Sequence, residues 1–148
     1  MQNITLSPIN RIIVVPTNTY GRRETDDNGH TSARREWLDE LKVAWEGKDP
    51  DRVLQLFKDT KRYYERPFHP GTSQEEYRTY WEIIVSLYDV RFEYDIMAIE
   101  GEIACIHWQN WYRESPEGKL DHVDGVFIII FNAAGPCEQF RQWWFMEK

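Results

Sequence analysis

From residue 90 onward the chain alternates apolar and polar side chains, and it does so almost to its end. Four such runs, residues 90–99, 103–114, 120–132 and 137–146, are separated by Glu100-Gly101, Pro116-Glu117-Gly118 and Ala133-Ala134-Gly135-Pro136. A period of two sustained over these lengths, with turn formers between, dictates consecutive antiparallel strands joined as hairpins. The last run reads "CEQFRQWWFM". Termini are usually frayed and polar, so a strand this aromatic needs cover on both of its faces. It belongs inside a sheet.

The preceding segment has a helical period. Ser32 is placed to cap a first helix carrying Leu38, Leu41 and Trp45 at helical spacing, and Gly47 ends it. Asp49-Pro50 opens a second, short helix with Val53, Leu54 and Phe57 inward. "KRYYERPF", residues 61–68, is β-prone and closes at a proline. Ser73 caps a third helix with Glu76 at the capping-box position, and Tyr77, Tyr80, Trp81, Ile84 and Leu87 mark its apolar face. Helices first and a long meander last make an α+β domain over residues 32–148. Residues 1–31 read as an extension. They hold one apolar run, residues 9–15, and a charged, turn-forming linker, residues 17–30. Two readings stand for the extension: a disordered tail, or residues 12–15 added to a sheet edge.

Composition narrows the function classes. A chain of 148 residues supports one core. Its net charge of −7 argues against nucleic acid, which needs a basic face. No run approaches the ~20 apolar residues of a membrane helix, and the start lacks a secretory pattern, so a cytoplasmic protein is expected. Cys105 and Cys137 sit in apolar surroundings and read as free thiols. His30, His69, His107 and His122 show no ligand spacing, so no metal is expected. No glycine-rich phosphate loop is present, so no cofactor is expected either. Aromatic residues, 15% of the chain with 7 Trp, fit a core, an apolar pocket or an interface.

The order of elements, with "AWEGKDPDRVLQLF" (44–57), "YYERPF" (63–68), "YRTYW" (77–81) and "DGVFIIIFNAAGPCEQFRQWW" (124–144), resembles the nuclear-transport-factor-2-like superfamily, in its SnoaL-like branch. The resemblance implies a cone-shaped, curved, mixed sheet wrapped around three N-terminal helices, with a conical pocket between them. It turns Phe140, Gln142 and Trp144 toward the cone and Arg141, Trp143 and Phe145 outward. An outer face carrying those aromatics beside Val126, Ile128 and Ile130 is a large apolar patch for a monomer. A homodimer through that face is expected.

The resemblance also implies where catalysis would sit. Gln142 stands where cyclases and epoxide hydrolases of the superfamily carry an aspartate, and glutamine exchanges no proton near neutral pH. The Arg/Asp pair of the epoxide hydrolases aligns with His107 and Gln109. The isomerase base aligns with Arg66. Three known sites each lack an essential group. What remains is Glu65, on the same strand face as Tyr63, as a carboxyl with a raised pKa in an aromatic cavity. His107 is its expected partner. Gln109 and Gln142 would orient a substrate oxygen, and Trp45, Trp81, Trp111 and Phe127 would line the cone. The plainer alternative pairs Glu65 with Arg66 and makes His107 a satisfied core histidine. The functional expectation is therefore a small apolar or aromatic ligand with proton-transfer chemistry (cyclisation, isomerisation or dehydration). The alternative is a non-catalytic binding or dimerisation module.

Overall fold

A computed structural model describes residues 30–148. The expected strand at residues 9–15 and its possible sheet-edge role lie outside the described residues, as does most of the expected linker. The elements run α1 (His30–Glu46), α2 (Pro50–Leu56), β1 (Arg62–Tyr64), α3 (Gln74–Trp81), a 3₁₀ turn (Glu82–Ser86), then β2 (Tyr88–Glu100), β3 (Ile103–Arg113), β4 (Asp121–Phe131) and β5 (Cys137–Met146). Three helices and a five-stranded mixed sheet form the α+β fold expected from the periodicity change.

Local chemistry explains most boundaries. Asp49 accepts a hydrogen bond from the Arg52 amide at 3.1 Å, capping α2, and Pro50 sits where a missing N–H costs nothing. Ser73 Oγ accepts from the Glu76 amide at 3.2 Å, while Glu76 Oε1 accepts from the Thr72 amide at 3.3 Å. This is a capping box displaced by one residue on its return arm. Three boundaries differ from expectation, the third helix among them: its α-helical part ends at Trp81 and a 3₁₀ turn carries Ile84, leaving Leu87 beyond it. The first helix begins at His30, so Ser32 lies in its first turn rather than at its cap. No large apolar residue in that turn marks the period, and the start was therefore illegible. The first strand spans three residues rather than eight. Tyr63 exchanges both backbone hydrogen bonds with Gly71, at 2.9 and 2.8 Å, which folds the chain back. Pro67 offers no donor and Phe68 takes φ 81°, so pairing cannot continue.

The sheet order is β1-β5-β4-β3-β2. Strand β1 joins β5 in parallel, with Tyr63 opposite Phe140, and the other pairs are antiparallel. The aromatic C-terminal strand is thus internal to the sheet. Its alternation, with that of the strands beside it, sets two faces. The inner face, against the helices, carries Ala104, Ile106 and Trp108 from β3, Val123, Phe127 and Ile129 from β4, and Phe140 and Gln142 from β5, all buried. Leu38, Leu41, Ala44 and Trp45 of α1 and Val53 and Phe57 of the α2 region close on it. Each such large apolar side chain contributes about 1.5–3 kcal/mol by leaving water. Among the described residues no helix is long and apolar enough to cross a membrane.

Candidate functional site

Strand β1 runs parallel to the first half of β5, which fixes the site. With Tyr63 opposite Phe140, Glu65, just past the end of β1, comes level with Gln142, two residues further along β5. The Gln142 amide donates to Glu65 Oε2 at 2.7 Å, and the Tyr63 hydroxyl lies close enough to favour the carboxylate form. Glu65 is half-buried and Gln142 buried. Burial pushes the Glu65 carboxyl up to about 7. The charge of Arg66, the hydrogen bond from Gln142 and the neighbouring Tyr63 hydroxyl pull the other way but do not overcome it. Burial, then the neighbouring Glu65 charge, also push the Tyr63 hydroxyl upward. A carboxyl titrating near neutrality, with one oxygen held by an amide, is suited to giving or taking one proton.

The expected aromatic lining is present but packed. The rings of Trp45 and Trp81 meet edge to face at 4.9 Å, Trp45 stacks on Phe92 at 4.6 Å, and Phe127 stacks on Trp108 at 5.0 Å. Phe127 also touches Phe140, whose ring is 4.7 Å from that of Tyr63. Trp45, Trp81 and Phe127 therefore form core that fills the depth of the cone rather than the wall of an open hollow. They make an aromatic floor beneath Glu65 and Gln142. Trp144, on the same side of β5 by alternation, is 42% exposed and stands at the rim. A separate surface groove of about 390 Å³ lies between α2 and α3, lined by Leu54, Lys58, Gln74 and Arg78 among others. It contains none of the expected site residues.

His107, Gln109 and Trp111 are placed differently from expectation. All three project from the outer face of β3, away from Glu65. The burial pattern leaves Ala104, Ile106, Trp108 and Asn110 inward. His107 Nε2 pairs with Asp124 at 2.8 Å, so it is neither a partner of Glu65 nor a core histidine. Trp111 lies between the Arg91 guanidinium, 4.1 Å above its ring, and His122, stacked parallel at 4.9 Å. His122 in turn pairs with Glu147 at 2.6 Å. The reason is one of register. Alternation says which residues share a face, and a slip of one residue reverses the face. The correct choice was legible, because the apolar set Ala104, Ile106, Trp108 belongs inside and the polar set outside. With that register the inner positions of β3 hold no Arg/Asp pair. Among the described residues no cluster of three or more His, Cys, Asp or Glu suits a metal.

Trp108 is the inner residue that the sequence reading passed over. It faces Gly125 across β3 and β4, and Gly125 faces Trp144 across β4 and β5. A Cβ on Gly125 would stand 2.5 Å from Cε2 and Cζ2 of the Trp108 ring. Glycine is what lets the indole lie flat across the sheet there. A glycine inside a strand opposite a tryptophan was the available signal.

Comparison with known proteins agrees with this architecture. A family model described as the SnoaL-like domain matches residues 35–136. No curated protein matches the chain in sequence. Among solved structures, SalBIII, described as an epoxide hydrolase/cyclase-like enzyme in pyran ring formation in polyether salinomycin, superposes with a TM-score of 0.64 at 14% identity, covering 81% of this chain and 93% of its own. A Novosphingobium aromaticivorans protein provisionally named scytalone dehydratase gives 0.63 at 12% identity, covering 78% and 84%. A nuclear-transport-factor-2-like protein of unknown function from Exiguobacterium gives 0.57 at 16%, covering 74% and 95%. At these identities the likeness establishes the fold alone.

Proposed function

The chain belongs to the SnoaL-like domain family, and we propose that it binds a small apolar or aromatic molecule at the mouth of its cone and moves a proton there through Glu65. The observation that carries this reading is the 2.7 Å hydrogen bond from Gln142 to Glu65, at the edge of an aromatic core that raises the carboxyl to about 7. Gln142 holds one carboxylate oxygen and leaves the other for the ligand. Tyr63 completes the orientation from the buried side. The floor of Trp45, Trp81 and Phe127 favours a flat, apolar body over a charged one.

The chemistry is a proton shuttle. Glu65 as carboxylate takes a proton from an acidified carbon of the ligand, becomes the carboxylic acid, and returns the proton to a second carbon or to a departing hydroxyl. Isomerisation, cyclisation and dehydration all contain that pair of steps, which is consistent with the described roles of SalBIII and of the scytalone dehydratase namesake. His107, Gln109 and Trp111 take no part in it. Their face carries Trp143 and Phe145, the latter 83% exposed, beside Val126 and Ile128, and there a second copy of the chain is the proposed partner.

Ligand-induced quenching of tryptophan fluorescence, across cyclic ketones, alcohols and arenes, identifies binders. Incubating them in deuterium oxide then reads proton exchange by mass. Exchange lost in Glu65→Gln with binding retained supports the reading. A second reading, a non-catalytic binder, is favoured by Gln142 at the position the family fills with a carboxylate. It gains if ligands bind and none exchanges. Absence of any binding contradicts both.

A further inference from the structure

Strand β5 outruns its neighbour. Its pairing with β1 ends at Tyr64 opposite Arg141, while its pairing with β4 continues to Met146 opposite Val123. Residues 143–146 therefore have a strand on one side only. Hydrogen-bond alternation says which groups face the open side. The Glu138 carbonyl accepts from the Lys61 amide at 2.8 Å on the β1 side, and the Glu147 amide donates to the His122 carbonyl at 2.8 Å on the β4 side. The register is unbroken from Gln139 to Met146. Even-numbered residues of β5 thus turn their backbone groups to the β1 side and odd-numbered ones to β4. The N–H and C=O of Trp144 and Met146 point into the open side, and among the described residues no backbone group meets them.

The side chains along this edge are apolar on both faces. Trp143 is 44% exposed, Trp144 42%, Phe145 83% and Met146 41%. Alternation sends Trp143 and Phe145 to one face and Trp144 and Met146 to the other. Residues 143–146 carry neither a charge nor a proline, the usual protection of a bare edge. A body laid against one face of the sheet covers half of this set and none of the open backbone groups. A strand added in the plane of the sheet meets all of them.

We propose that Ile12, Ile13, Val14 and Val15 of the same chain pair with residues 143–146 as a sixth strand of the sheet. The segment lies outside the described residues, and its sequence and tether select it. Four consecutive β-branched residues make an extended run that needs cover on both faces, the same demand that the edge makes. Whichever alternate pair turns inward, two aliphatic side chains come beside Trp144. Pro16 ends the run, since it brings no N–H for a further rung. The reach suffices. Helix α1 starts at the far end of the sheet, where the Arg34 guanidinium lies 4.1 Å over the Phe131 ring and Phe131 pairs with Cys137, the first residue of β5. From Cys137 to Trp144 the strand runs about 23 Å, whereas residues 16–29 can span about 45 Å. The tether also offsets the shortness of the pairing, because it holds the segment at an effective concentration of about millimolar. The added strand lies beside β5, leaves the outer face of β4 and β5 to the second copy proposed above, and does not depend on proton transfer at Glu65.

Amide hydrogen exchange in the full chain, read residue by residue from ¹⁵N–¹H spectra, tests this. The amides of Trp144 and Met146, and those of residues 12–15 that face β5, are expected to exchange about 100-fold more slowly than in an unstructured peptide. Dilution of the protein is expected to leave these rates unchanged, since the strand comes from the same molecule. The double variant Ile13→Asp with Val14→Asp puts a carboxylate on each side of the segment. It is expected to speed exchange at Trp144 and Met146 by about ten-fold or more, while the Phe127 and Ile129 amides of β4 keep their protection. Because the first readout is taken in the unaltered protein, it stands whether or not the variant folds. Fast exchange throughout residues 12–15 overturns the proposal. So does slow exchange at Trp144 and Met146 that survives in the variant, which assigns the edge to another partner. Protection that is lost on dilution overturns it as well, because the strand then comes from a second molecule.

Discussion

Glu65 carries the largest consequence of any single residue, because its folded and unfolded states hold a proton over different ranges. Its carboxyl titrates near 7 when folded and near the ordinary carboxylate value when unfolded. Between those values the folded chain binds a proton that the unfolded chain has released. Stability therefore falls as pH rises from about 4.5 to about 7, and is flat beyond. The loss amounts to about 2–3 kcal/mol at most, reduced by the partial exposure of the group. Urea denaturation at a series of pH values is expected to show this slope in the wild type and a flatter profile in Glu65→Gln. An unchanged profile in that variant would assign the slope to other carboxylates. The Gln142→Glu variant is expected to place a second carboxyl within hydrogen-bond reach, so that the pair shares one proton and its upper macroscopic pKa moves above 7. A ¹³C titration of the two carboxyls reads this directly. Glu65 was legible in the sequence because it lies two residues after Tyr63 in the β-prone run before Pro67, although the strand itself stops at Tyr64. The face of His107 and Gln109 was misread by one residue, although the apolar pattern of β3 contained the answer.

Single contacts decide how the elements meet. Gly125 on β4 admits the Trp108 ring, and an added methyl would press on that ring at 2.5 Å and on the Trp143 carbonyl at 2.7 Å. The ring is large and hemmed in by Trp45, Phe92 and Phe127. Gly125→Ala is therefore expected to cost about 1–3 kcal/mol, read as a lowered urea midpoint with loss of near-ultraviolet tryptophan dichroism. A neutral result would mean that the indole moves freely, against the packing described. The meander was the most legible part of the chain, since four long alternating runs with turn residues between them admit few arrangements. The extent of β1 was not legible. "KRYYERPF" has strand propensity throughout, and its pairing stops because Tyr63 turns its backbone to Gly71, a contact eight residues away that no local pattern records.

At the scale of the molecule the two sheet faces divide the roles. The inner face packs against the helices, with Glu65 half-buried and Trp144 half-exposed beyond Gln142, and the outer face carries Trp143, Phe145 and the β4 side chains Val126 and Ile128. Pairing of two copies through the outer face predicts that Phe145→Asp lowers the mass seen by native mass spectrometry from dimer to monomer at micromolar concentration, with the inner-face chemistry intact. A wild-type monomer at those concentrations would assign that face to a different partner. The family was legible from element order and four short motifs, but the packing of the cone was not. Aromatic periodicity marks a face as apolar without saying whether the rings stand apart around a cavity or touch. Here they touch, and on the function proposed above the ligand then sits at the rim, where Glu65 is the group that moves the proton. The most direct test is the pH titration of the Glu65 side-chain ¹³C resonance in the full chain. A midpoint near 7 that falls toward the usual carboxylate range on urea unfolding is the expected result; a midpoint already near 4.5 in the folded protein would contradict the account.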